Sequence, residues 1–140
     1  MSLSNTLNTN EIKDAAGLEV EFQHLEQDGR SHTFAKINEL PGLPHRLKVS
    51  HQESGSGTSR RRRSVVRFDK SETGQIDNTK IITTSFYLVG DIPVGNLSTY
   101  GSPKDLLANL MSFMASLGAS TTILYDCTGN GAATVINGSL

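Results

Sequence analysis

A chain of 140 residues is long enough for one domain, but 36% hydrophobic content with 6% aromatic and no Trp is thin for a self-sufficient monomer, so a partner that completes the core is expected. No run of about 18 apolar residues occurs, which excludes a membrane-spanning helix. Met1 to Asn10 lacks the basic start and apolar stretch of a secretory signal, so a reducing compartment is expected. The formal net charge is -1, yet eight of the thirteen Lys and Arg residues lie between Arg46 and Lys70, against only Glu53 and Asp69.

Residues 1–16 are polar and aperiodic and read as a loosely ordered arm. Leu18 to Phe22 alternates strictly, and Gln27-Asp28-Gly29-Arg30 carries the Asp-Gly signal of a tight turn before Ser31 to Ile37, which predicts an amino-terminal hairpin. Pro41-Gly42-Leu43-Pro44 breaks the pattern. Arg46 to Gln52 then alternates as a half-buried strand, with Leu47, Val49 and His51 on one face and Arg46, Lys48, Ser50 and Gln52 on the other. Glu53 to Ser59 has the composition of a flexible loop. The strand Arg61 to Asp69 is phased by Arg67, which would lack a partner in a core, so Ser64, Val66 and Phe68 point inward and Arg61, Arg63, Val65 and Arg67 outward.

Lys70 to Asn78 reads as a polar loop, and Lys80 to Val89, rich in Ile, Thr, Phe and Tyr, as a strand. Its alternation separates Ile82, Thr84, Phe86 and Leu88 from Ile81, Thr83, Ser85 and Tyr87. If the first set is core, Tyr87 joins the basic face, either stacking on an unpaired base or packing on a cross-strand neighbour. Gly90 to Gly101 is a connector. Ser102-Pro103-Lys104-Asp105 opens a helix with a Ser cap, Pro at the first position and an acid in the first turn. Leu106, Leu107, Leu110, Met111, Phe113, Met114 and Leu117 make it apolar over more than one face before Gly118 ends it, and the surplus face is the expected dimer interface. In residues 119–140, Thr121 to Tyr125 and Ala133 to Ile136 fit a hairpin around Thr128-Gly129-Asn130-Gly131, with a second short helix as the alternative.

The basic stretch has bland readings: a solvated edge strand that blocks aggregation, or a localisation patch. An edge needs only one or two charges, however, and many arginines on one face repel unless a polyanion neutralises them. Arg also grips phosphate bidentately. Nucleic acid is therefore the expected partner.

Catalytic and cofactor signals are weak. Cys127 is the only cysteine, so neither an internal disulfide nor a multi-Cys metal site is available, and the four histidines are scattered. His51-Gln52-Glu53 matches the H-x-E fragment of zinc deaminases without their Cys-x-x-Cys. Gly55-Ser56-Gly57 lacks the Lys-Ser/Thr of a phosphate-cradling loop. The sequons at Asn96 and Asn137 read as accidental. No enzyme, metal or cofactor is expected.

An amino-terminal hairpin, three further antiparallel strands with a basic outer face and a helix that needs a partner resemble, in that order, the coat proteins of small single-stranded RNA bacteriophages. The resemblance spans about Leu18 to Gly118. It rests on Pro44 to Gln52, on Arg61 to Phe68, and on the late strand followed by a helix. It implies an α+β fold in which a carboxyl-terminal helix packs on one face of an antiparallel sheet. Two such protomers intertwine as a homodimer with a continuous sheet, and many dimers close into an icosahedral shell with single-stranded RNA inside. The resemblance implies that Arg46, Lys48, Ser50, Gln52, Arg61, Arg63, Arg67, Thr83, Ser85 and Tyr87 line that interior as the RNA-binding residues. It further implies a virion assembled in the bacterial cytoplasm, the loop Lys70 to Asn78 at the symmetry axes, and repression of translation through an RNA hairpin. The chain departs from the family pattern at the second helix, which is not evident. It departs again on the last strand, where Ser85 and Tyr87 are rough counterparts of a Tyr and Asn pair. The competing reading is a dimeric RNA-binding regulator that builds no shell; a hydrolase using a histidine has no identifiable nucleophile and base.

Overall fold

The computed structural model describes residues 3–95, 102–117 and 123–138. Six antiparallel strands lie in sequence order: β1 (Thr6–Leu7), β2 (Phe22–Asp28), β3 (Ser31–Lys36), β4 (His45–Ser54), β5 (Arg61–Thr73) and β6 (Ile81–Pro93). Two helices follow, α1 (Ser102–Ala115) and α2 (Asn130–Asn137). The chain comprises two compact units, the sheet with residues 3–12, and Lys13–Glu19 with the helices.

The expected hairpin is β2–β3, turned at Gly29, whose φ of 56° is one that glycine adopts without strain. Alternation decides the face of every later strand. Phe34 pairs with Leu47 and Leu47 with Phe68, while Val49 pairs with Val66 and Val66 with Leu88, so one face collects the apolar side chains. Phe22 and Phe34 are fully buried there and Leu47 nearly so, with Val49, Val66 and Phe68 packed around them. His32, His45 and His51 share that face by register.

Several boundaries differ from the sequence expectation. Residues 1–16 were read as an arm, but β1 pairs Leu7 with Phe22, and Leu7 and Ile12 pack on the core. Asp14 then closes a turn by accepting hydrogen bonds from the N–H groups of Ala16 and Leu18, both at 2.9 Å. The expected loop Lys70 to Asn78 shortens, because β5 runs on to Thr73, where Ser71 and Thr83 bond through their hydroxyls at 2.8 Å. The turn that remains is closed by the Gly74 N–H donating to the Lys80 carbonyl at 2.9 Å. The connector from Gly90 likewise begins late, since β6 pairs with β5 as far as Pro93 opposite Arg61.

α1 ends at Ala115, leaving Leu117 beyond it. Gly118, the expected terminator, the remainder of the connector at 96–101, and Thr121 and Thr122 of the expected hairpin lie outside the described residues. The preferred hairpin at the carboxyl terminus is not formed where Ala133 to Ile136 were read as a strand; they belong to α2. The reason is packing: a Cβ on Gly131 would collide with the Phe113 carbonyl oxygen and one on Gly129 with that of Ser116, so glycine lets α2 approach α1 closely. Thr134 satisfies its hydroxyl on the Asn130 carbonyl at 3.0 Å, and Gly138, at φ 67°, caps the end.

Candidate nucleic-acid interface

The register of β3 to β6 brings the polar residues of four strands onto the face opposite the core. Rows across it read Ala35, Arg46, Asp69, Ser85; then Thr33, Lys48, Arg67, Tyr87; then Ser31, Ser50, Val65, Val89; then Gln52, Arg63, Asp91; and, at the far end, Ser54, Arg61, Pro93. Thr83 lies opposite Ser71 in the next row beyond Ser85. All ten residues singled out in the sequence thus share one face, with successive rows set by the strand rise of about 3.3 Å per residue.

Arg67 is the best-tethered cation. Its Nε lies 2.8 and 2.9 Å from the two carboxylate oxygens of Asp69, its NH2 group donates to Ser85 Oγ at 3.3 Å, and Ser85 in turn donates to Asp69. The guanidinium carbon stands 5.7 Å from the centroid of the Tyr87 ring, a cation–π contact that leaves Tyr87 64% exposed. Arg61 donates from Nε to Asp91 at 2.9 Å, and Arg46 pairs with Glu39. Lys48 and Arg63 are exposed and have no ion pair among the described residues.

Two of these carboxylates, Asp69 and Glu39, are held below their ordinary values. Burial pushes Asp69 up, but the Ser85 hydroxyl and Arg67 outweigh it and leave the group below its ordinary value. Glu39 follows the same pattern: burial raises it, while Arg46 and the His45 N–H, which donates to Glu39 at 3.1 Å, lower it further. Arg62 faces the other way, as its phase predicts, and binds Glu53 Oε1 from Nε at 3.1 Å and from its terminal nitrogen at 2.9 Å. Arg30 and Arg60 reach the same carboxylate at 3.4 and 3.5 Å.

Sequence reasoning missed Asp91, which lay in the supposed connector, and Glu39, which arrives from the β3–β4 loop. The first was legible in the alternation Tyr87, Val89, Asp91; the second had no local signal. The expected dimer residues of α1 are present as an apolar surface: Leu106, Leu107, Leu110, Met111 and Phe113 are exposed, and Met114 is half-buried. β6 adds a thirteen-residue strand at the end of the sheet, with no strand on its outer side among the described residues. No three His, Cys, Asp or Glu side chains among the described residues gather as a metal site requires, and no described helix is long and apolar enough to cross a membrane.

No protein-family model and no curated protein matches the chain. Solved structures do. The coat protein of bacteriophage EMS014 superposes with a TM-score of 0.65 over 86% of this chain and 87% of its own, at 14% identity. The virus-like particle of bacteriophage AVE015 gives 0.50 over 68% of this chain and 67% of that one, at 13% identity. With so little identity the agreement lies in strand order and the two helices that follow, and on those grounds this chain has the fold of a bacteriophage coat protein.

Proposed function

We propose that the chain is a capsid protein. Two copies pair along β6 and through α1 into a homodimer, dimers close into an icosahedral shell, and the basic sheet face lines the interior and binds single-stranded genomic RNA. On this reading the protein is a structural component of a virion assembled in the bacterial cytoplasm. It catalyses nothing, needs no cofactor and engages no membrane. The solved relatives whose fold it shares are described as a phage coat protein and a virus-like particle.

The observation that carries the proposal is the combination of a thirteen-residue edge strand with no strand on its outer side among the described residues, an exposed apolar helix, and a sheet face rich in cations. A long edge strand bearing exposed Ile82, Phe86 and Val89 invites aggregation unless something covers it, and a second β6 laid antiparallel would satisfy its backbone groups. The apolar side chains of α1 require a surface of similar character. Dimerisation and assembly bury both, while the cationic face remains open to a polyanion. Ser85 and Tyr87 at its rim are suited to contact unpaired bases, which would extend the role to hairpin binding and translational repression.

The test is size and content together. Protein purified from an expressing bacterium should elute as a large particle whose ultraviolet absorbance shows nucleic acid. Elution only as a small dimer, with or without added RNA, would leave the discrete RNA-binding regulator as the better reading.

A further inference from the structure

The cationic face is less cationic than its sequence. Of Arg46, Lys48, Arg61, Arg63 and Arg67, three already have a carboxylate: Glu39, Asp91 and Asp69 respectively. Lys48 and Arg63 have none among the described residues, and they lie in different rows, with Ser50, Val65 and Val89 between them. Asp69 and Asp91 sit on the face itself and stand beside their arginines in the places a phosphate would take.

Building on the RNA-binding reading above, we propose that Lys48 and Arg63 make the principal contacts to the phosphodiester backbone, and that Asp69 and Asp91 are internal competitors that hold the affinity of the face down. The physical argument is one of exchange. A free cation that meets a phosphate releases a condensed counterion, and that release drives binding and sets its salt dependence. An arginine that must leave a carboxylate first exchanges one ion pair for another and exposes an unpaired acid next to the RNA. Exposed pairs of this kind are weak, so they tune affinity without blocking it.

Arg67 illustrates the second role of the pairing. Asp69 and Ser85 fix its guanidinium beside the Tyr87 ring, which makes Arg67 a positioning residue for an aromatic platform before it is a phosphate clamp. A shell protein gains from such restraint, because many copies act on one RNA: a modest affinity at each face leaves the strand able to rearrange as the shell closes.

Binding of a fluorescently labelled uridine oligomer to the full chain, followed across a salt series, separates the roles. Lys48→Gln with Arg63→Gln should flatten the plot of log affinity against log salt by up to about 1.4, from about 0.7 per contact. Arg61→Gln with Arg67→Gln should flatten it less. Asp69→Asn with Asp91→Asn should steepen the slope and tighten binding, by up to about fivefold per substitution. Should Asp69→Asn disturb the sheet, Asp91→Asn alone carries the test, because Asp91 is exposed at the sheet's rim.

An Arg61/Arg67 variant that loses as much as the Lys48/Arg63 variant, or an Asp91→Asn variant that binds no tighter, overturns the assignment while leaving RNA binding intact. Failure of the unmodified chain to bind the oligomer even at low salt overturns the assignment together with the RNA reading beneath it.

Discussion

The sheet and the first helix handle apolar surface in opposite ways. In the sheet, pairing in register stacks Phe22, Phe34 and Leu47 against one another until almost none of their surface remains. In α1, Ala115 alone is buried, and Leu106 stays 65% and Phe113 54% exposed. The difference teaches what each element can do within one chain. A sheet builds a core from its own neighbouring strands. A helix that is apolar over more than one face needs more surface than a chain of this size supplies. β6 stands between the two cases, paired on one side and, among the described residues, without a strand on the other, with Phe86 on the core face and Tyr87 on the cationic one.

The sharpest way to break this contrast is to remove the sheet's own core. Phe34→Ala should cost about 3–5 kcal/mol, the usual loss for a fully buried aromatic side chain, and urea unfolding should show the sheet destabilised whatever the state of assembly. Leu110→Asp or Phe113→Asp tests the other half. Each places a charge on a surface we assign to the dimer, costing several kcal/mol where it is buried without a partner, so pairing and particle formation should be lost. A variant that still forms dimers, measured by light scattering, would contradict that assignment.

Acid should act on the sheet in two stages. Burial, then the neighbouring His24, hold His32 below its ordinary value; burial, then Lys70 and Lys36, do the same for His45 against the opposing pull of Glu39 and Glu72. A histidine with a lowered folded pKa leaves the unfolded chain binding more protons, so stability is full above about pH 6.5 and declines as pH falls below it. Glu39 and Asp69, also lowered, contribute stability above about pH 4 that is lost as pH falls through their folded values. The urea midpoint should therefore step down first as pH falls below about 6.5 and again below about pH 4, and His45→Gln should weaken the first step. The smallest effect on the protomer is expected from shortening the turn between Gly74 and Lys80, where Ile76 is fully exposed: dimers should persist while particle size or yield changes, and loss of the dimer would count against placing that turn between dimers.

The strand phases were legible because the outcome of a wrong phase was so costly. Burying Arg67 had no remedy, and that one residue oriented β5, from which pairing orients β4 and β6. The β2–β3 turn was legible through Asp28-Gly29. What the sequence concealed depends on partners that alternation does not register. β5 and β6 run past their apolar stretches because polar side chains pair across them, Ser71 with Thr83 and Arg61 with Asp91. β1 is two residues long and exists because Leu7 meets Phe22. α2 looked like a strand through Val135 and Ile136, and it is helical where Gly129 and Gly131 allow contact with the end of α1. In the candidate interface the cations were visible, whereas the acids that neutralise three of them came from a misread strand end, a neighbouring loop and a residue counted only as an isolated charge.

Electron cryomicroscopy of the protein purified from an expressing bacterium tests the central claim most directly. The account predicts a closed shell built from dimers joined along β6, with Lys48, Arg63 and Tyr87 turned to the lumen and nucleic-acid density against them. Free dimers without a shell, or a shell that turns this face to the outside, would contradict it.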